Sequence, residues 1–274
     1  ATHHFAALAM VLVIGATAAW SAANVRVERS QIENFQTDQP IRIADETLNT
    51  VFAGTSYLDI VVTSDEVDGL LDADRMTNVA SLQAYAEEQP YVTETRSIAD
   101  ALTELHGALN PNSKTSLPET ADAVAQYLLL YESTGDSADL ENEIDRDYQR
   151  ALIRVYMNSH YTGDERTAVE ALEAYIENQF NEPGLSAQLS GRVFVDYHWM
   201  QQLEMGHTRS ILISACLVFL VAALLFRSIT LGLLSLAPVM AAVLGVYGIM
   251  GALGIFIEPA TSMFAAISIG IGID

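Results

Sequence analysis

Hydrophobic and polar positions divide this chain into apolar ends around a patterned polar middle. Phe5 to Ala23 is an apolar run about long enough to span a bilayer, with Trp20 where an interfacial aromatic belongs. Arg26 to about Thr50 is polar and shows few strong patterns. Tyr57 to Val62 then reads as a buried strand. Asp72 to Gln89 predicts a helix, with Met76, Val79, Leu82 and Ala86 on one face and Pro90 closing it. Tyr91 to Thr95 is a short strand. Two further helices are predicted: Ser97 to Leu109, stopped by Asn110-Pro111, and about Pro118 to Glu132, opened by a Ser116-x-x-Glu119 capping box.

From Tyr148 to Met157 the chain alternates. Ala151, Ile153, Val155 and Met157 point one way, and Arg150, Arg154 and Tyr156 the other, with Leu152 among them, the pattern of a half-exposed strand. Asp164 to Phe180 carries Ala168, Leu172, Tyr175, Ile176 and Phe180 at helical spacing, and Pro183-Gly184 ends it. Leu185, Ala187 and Leu189 alternate with Ser186, Gln188 and Ser190 as a last strand. Val193 to Thr208 predicts a helix leading into the membrane, with Tyr197 and Trp199 placed near headgroups. Ile211 to Phe226 is a second span and Ile229 to about Leu253 a third, with Pro238 as a kink. Gly245, Gly248, Gly251 and Gly254 are packing or bending points. A fourth span starts near Pro259.

These elements predict an α+β membrane protein: a transmembrane helix over 1–23, a soluble domain over 24–209, and transmembrane helices 2–4 over 210–274. Two strand–helix–strand units separated by an inserted helical pair make a four-stranded sheet with helices on one face, the ferredoxin-like arrangement. For the first run a cleaved signal peptide competes, since Ser21-Ala22-Ala23 looks like a small-residue cleavage site. The lack of Lys or Arg before the run favours a retained helix. The start at Ala1 and the stop at Asp274, mid-helix, read as a fragment of a longer protein.

Composition sharpens the split. The chain has 274 residues, net charge −22 and half hydrophobic content, yet from Ser210 onward its only charged residues are Arg227, Glu258 and Asp274. The acid therefore belongs to the middle, and the balance argues against nucleic acid as a partner. Cys216 is the single cysteine, so no disulfide forms within the chain. Arg227, in a tight loop, assigns that loop to the cytoplasm and the acidic domain to the outside. No phosphate loop, His-Glu-x-x-His or nucleophile elbow is present, and no cofactor or metal is called for. His198 and His207 read as solvated or interfacial groups, His3-His4 as a chance doublet at the membrane edge, and Glu258 as an acid favoured at a helix start.

The chemistry concentrates at Ser262, Ala266, Gly270 and Asp274, four apart, which a helix aligns as one narrow stripe ending on an acid. Gly272 adds a further small residue beside it. Small residues at this spacing admit a neighbouring helix. A charge facing lipid costs at least about 2.5–3.5 kcal/mol, so the acid faces that neighbour. Asp274 would lie roughly 20 Å past Pro259, beyond the middle of a core of about 30 Å. Desolvation there favours its protonated form, and a proton crossing the membrane potential supplies about 2.3 kcal/mol per 100 mV. The competing reading is a structural acid paired with a Lys or Arg of another helix.

The ending Ala266-Ile-Ser-Ile-Gly-Ile-Gly-Ile-Asp274 resembles the fourth transmembrane helix of the resistance-nodulation-division (RND) superfamily, nearest its branch of predicted exporters and mycobacterial-type large membrane proteins, related to sterol-sensing-domain proteins. Asp38-Gln-Pro-Ile-Arg-Ile-Ala-Asp45, Phe52-Ala-Gly-Thr-Ser-Tyr-Leu58, Gly191-Arg-Val-Phe-Val-Asp-Tyr197 and Leu225-Phe-Arg-Ser-Ile-Thr-Leu-Gly232 resemble its other segments. The resemblance covers nearly the whole chain and the first half of such a transporter. It implies a proton-driven exporter of hydrophobic or lipidic substrates in the bacterial inner membrane. Residues 24–209 would be a periplasmic porter domain, Asp274 the proton relay and Gly270 its packing partner. The implied partners are the bilayer, the lipid substrate and a C-terminal half, and a homo-oligomer is compatible with it. Two rival readings use the same helices: a sterol- or lipid-sensing receptor, and an accessory factor of protein secretion. A membrane-anchored enzyme fits least.

Overall fold

The computed structural model describes residues 15–25, 30, 32, 35–110, 116–134, 140–159, 161–258 and 261. The chain divides into two compact units, one of Ala1–Arg29 with Trp199–Asp274 and one of Ser30–His198.

The second unit opens with α2 (Pro40–Val51); α1 is the helix over residues 15–22 of the other unit. α2 forms within the stretch up to about Thr50 whose sequence shows few strong patterns. Pro40 starts it at a position where the missing N–H costs nothing and the fixed φ suits a helix. β1 (Ser56–Ser64), α3 (Ala73–Glu87) and β2 (Val92–Arg96) follow. Asp72 caps α3 by accepting from the backbone N–H groups of Asp74 and Arg75, both at 3.0 Å. Met76, Val79, Leu82 and Ala86 are all fully buried on the predicted face.

α4 (Ile98–Leu109) begins with a reciprocal capping box between Ser97 and Asp100. α5 is Ala121–Thr134. The Ser116/Glu119 box therefore does not open it. Thr120 stands at the helix start instead, its Oγ1 accepting from Ala123 N at 3.3 Å. β3 (Arg150–Met157), α6 (Thr162–Tyr175) and β4 (Leu185–Ser190) complete the unit. The helix predicted to Phe180 ends earlier: Ile176–Phe180 widens into a π-turn that buries Ile176 and Phe180.

The sheet order is β2-β3-β1-β4. All three pairings are antiparallel, with Ile60 opposite both Ile153 and Leu189. The two strand–helix–strand units therefore interleave: β3 lies between β1 and β2. Leu58, Ile60, Val62, Ala151, Ile153, Val155, Met157, Leu185, Ala187 and Leu189 are buried in one core that also takes Ala168, Val169 and Leu172 of α6. The alternate residues Asp59, Val61, Arg154 and Tyr156 remain partly exposed on the other face. One core face and one wetter face is what period-two alternation encodes.

At the end of β4 the chain turns through Gly191, whose φ of 86° favours glycine, into α7 (Gly191–Phe226). This helix runs without a break where the pattern predicts a leading helix and a separate span. The shift from polar to apolar residues changes the solvent a helix suits, not its backbone. Tyr197 is a correction too. It is buried in the core of the sheet domain, its hydroxyl 3.4 Å from Glu170, and is not a headgroup anchor. α8 (Ile229–Leu253) matches the predicted third span and passes through Pro238.

Candidate functional site

The predicted site residues Ser262, Ala266, Gly270, Gly272 and Asp274 lie outside the described residues. The geometry on either side of them is described, and it begins with the hairpin of α7 and α8.

Arg227 makes the turn with φ 50°, and Ser228 caps α8 by accepting from Leu231 N at 3.4 Å. At the closed end the helices approach closely, because Gly232 faces Ala223: a Cβ on Gly232 would stand 2.8 Å from the Ala223 methyl. Val239 and Val243 then form a small buried cluster with Ile211, Val218 and Tyr247. Leu217, Leu224, Leu225, Leu233, Leu234, Ile249 and Leu253 are exposed. This apolar surface suits lipid or further helices, not water.

At the open end His207 Nε2 and the Tyr247 hydroxyl are hydrogen-bond partners. Each lies about 20 residues from Arg227, hence about 30 Å along its helix, one hydrocarbon thickness. The arginine loop and the His207–Tyr247 pair therefore mark opposite boundaries of the apolar zone. The sequence reads His207 as solvated or interfacial and does not reveal its partner. Their equal distance from the arginine turn was the signal.

α8 also packs on α1 through glycines. A Cβ on Gly248 would stand 2.9 Å from the Ala18 methyl, and one on Gly251 would stand 2.0 Å from the Ser21 carbonyl oxygen. Ser21 Oγ donates to the Gly248 carbonyl at 2.8 Å. Three residues separate Gly248 from Gly251 and Ala18 from Ser21, so two small-residue faces meet and a hydroxyl bonds across them. Of the other predicted packing glycines, Gly245 meets nothing within 4 Å. Gly254 ends α8 in the left-handed conformation, φ 69°, with its N–H bonded to the Met250 carbonyl.

The approach to the predicted fourth span is held locally. Thr261 Oγ1 accepts from Glu258 N at 2.7 Å and lies 3.1 Å from the Phe256 carbonyl, to which it donates. Thr261 thus acts as a short polar clamp immediately before Ser262.

The sheet unit offers clefts of a different character. One of about 640 Å³ is bounded by Glu94, Arg96, Asp100, Glu104, Glu143 and Arg154. On the open sheet face Arg154 bonds Asp59, Nε to Oδ1 at 2.9 Å, and its guanidinium lies 4.9 Å from the centre of the Tyr57 ring. The Asp59 hydrogen bond, the first cause, holds the Arg154 pKa above its ordinary value. This lining is charged and suits water or polar groups. Among the described residues no group of three or more His, Cys, Asp or Glu is placed to hold a metal.

The family model of the MMPL family matches residues 36–274. The chain belongs to the MMPL family. The match takes in the sheet unit, the α7–α8 hairpin and the segment that carries Gly270 and Asp274. No curated protein matches the chain. As an MMPL-family chain it is a membrane protein from a family of transporters. α7 and α8, at 36 and 25 residues, are long and apolar enough to cross a bilayer.

Proposed function

We propose that this chain drives proton-coupled export of hydrophobic or lipidic molecules across the bacterial inner membrane, as the first half of an RND-type transporter. In this reading residues 1–23 and 210–274 are the membrane part and 24–209 a periplasmic porter domain. Asp274 is the proton relay, with Gly270, Gly272, Ala266 and Ser262 providing close helix packing around it. The partners are the bilayer, the lipid cargo and a second half with its own relay groups.

The observation that carries this reading is the family match, because it continues through the segment ending in Gly270-x-x-x-Asp274. The glycine-mediated contact of α1 with α8 supports it, since it gives the membrane part dry helix contacts of the kind an intramembrane carboxylate needs. The interleaved antiparallel order β2-β3-β1-β4 supports a ferredoxin-like porter domain. The charged cleft favours no apolar cargo, so the cargo path is sought along the helices.

The test compares Asp274→Asn with Asp274→Glu in the complete transporter, reconstituted in vesicles with an imposed proton gradient. The reading expects Asp274→Asn to stop both proton flux and lipid export while inserting normally, and Asp274→Glu to retain part of both. Cargo binding without proton flux in the unaltered protein would instead identify a lipid-sensing receptor on these helices.

A further inference from the structure

α2 is turned inside out. Along its 12 residues Ile41, Ile43, Ala44, Thr47, Leu48 and Val51 fall on one arc, and Arg42, Asp45, Glu46, Asn49 and Thr50 on the other. A helix on a water-soluble domain buries the first arc. Here none of its residues is buried, and every member of the apolar arc is exposed, up to 69% at Val51, with Phe52 beyond it at 66%. Arg42, Asp45 and Asn49 of the polar arc are the partly covered positions. Their bonds hold that side in place. Thr55 N donates to Asn49 Oδ1 at 3.1 Å, Thr55 Oγ1 donates to Asp45 Oδ1 at 3.0 Å, and Arg42 Nη1 donates to the Phe35 carbonyl at 3.1 Å. The polar groups are thus spent on fixing the helix, and its apolar face is presented outward.

We propose that this face lies on the membrane surface, with Ile41, Leu48 and Val51 at the boundary between headgroups and acyl chains. Three observations select lipid as the occupant. The family places the chain in a bilayer, and only 17 residues separate the end of α1 from Pro40, a tether of at most about 60 Å. One face of a helix about 18 Å long and 10 Å wide falls well short of the roughly 800 Å² per partner that a stable interface with a separate protein needs. A contact with the bilayer needs no such area, because the spanning helices already hold the chain there. Finally, the charged side chains of α2 lie off the apolar arc, and Arg42 is its only cation. Contact is therefore made by apolar insertion without attraction to anionic headgroups. The inference needs only that the chain sits in a membrane, and stands whether or not Asp274 relays protons.

The experiment places single nitroxide labels on the full chain in phosphatidylcholine vesicles. The variants are Leu48→Cys, Val51→Cys and Glu46→Cys, each in a Cys216→Ser background, and relaxation by oxygen is compared with relaxation by a water-soluble nickel chelate. The labels at 48 and 51 are expected to collide several-fold more with oxygen relative to nickel than the label at 46, with no change at high salt. Equal nickel exposure at 48 and 46 would overturn the proposal by placing the face in water. Protection of 48 from both reagents would overturn it in favour of a protein segment or second copy.

Discussion

A methyl group at Gly251 has nowhere to go, because its ideal position is 2.0 Å from the Ser21 carbonyl oxygen, a backbone atom that moves only if α1 moves. At Gly245, two turns earlier on α8, the same methyl meets open space. The pair makes a controlled prediction. Gly251→Ala should destabilise the packing of α1 on α8 by about 1–3 kcal/mol, the usual cost of overpacking. Gly245→Ala should be neutral or mildly stabilising through helix propensity, by up to about 1 kcal/mol. Reversible unfolding in bicelles measures both; equal effects would mean that α1 does not pack there. Sequence spacing announced the glycines of α8 but not which of them touch anything. That depends on which helix lies alongside and at what rotation, and the matching step, Ala18 and Ser21, sits more than 200 residues away.

Elements were most legible where the pattern and the burial agree. β3 and β4 alternate strictly because one side faces the core and the other a wetter face, and the predicted inward residues Ala151, Ile153, Val155 and Met157 are all buried; β1, which reads as a buried strand, alternates in the same way. α3 was legible for the same reason. α2 is weakly legible because its apolar arc is short, includes the polar Thr47, and serves no core. The start of α5 was misplaced because a capping-box spelling is only a possibility for the backbone. Local hydrogen bonding decides it, and Thr120 holds the first turn. Thr120→Ala should therefore loosen that turn, raising amide exchange there about 2- to 30-fold for a cap worth about 0.5–2 kcal/mol. Glu119→Ala should leave exchange unchanged. The reverse result would restore the Ser116/Glu119 cap.

At the scale of the whole molecule, charge separates what the two units do. The acidic residues are concentrated before Ser210, and from there onward the only charged residues are Arg227, Glu258 and Asp274. The membrane character was legible from that division alone, and the family match agrees with it. The interleaved order β2-β3-β1-β4 is one that two strand–helix–strand units allow, but which residues face one another is set by three-dimensional register and not by order in the chain. The candidate site reads in the sequence as a stripe of small residues ending in a carboxylate, and it lies outside the described residues. What that carboxylate does rests on whether it exchanges a proton inside the membrane.

Infrared titration of the complete transporter in vesicles, with Asp274→Asn as the subtraction, measures that exchange directly. The account predicts a protonated-carboxyl band, missing from Asp274→Asn, that appears and disappears within the working pH range of the membrane. A carboxylate that stays ionised throughout that range would contradict it.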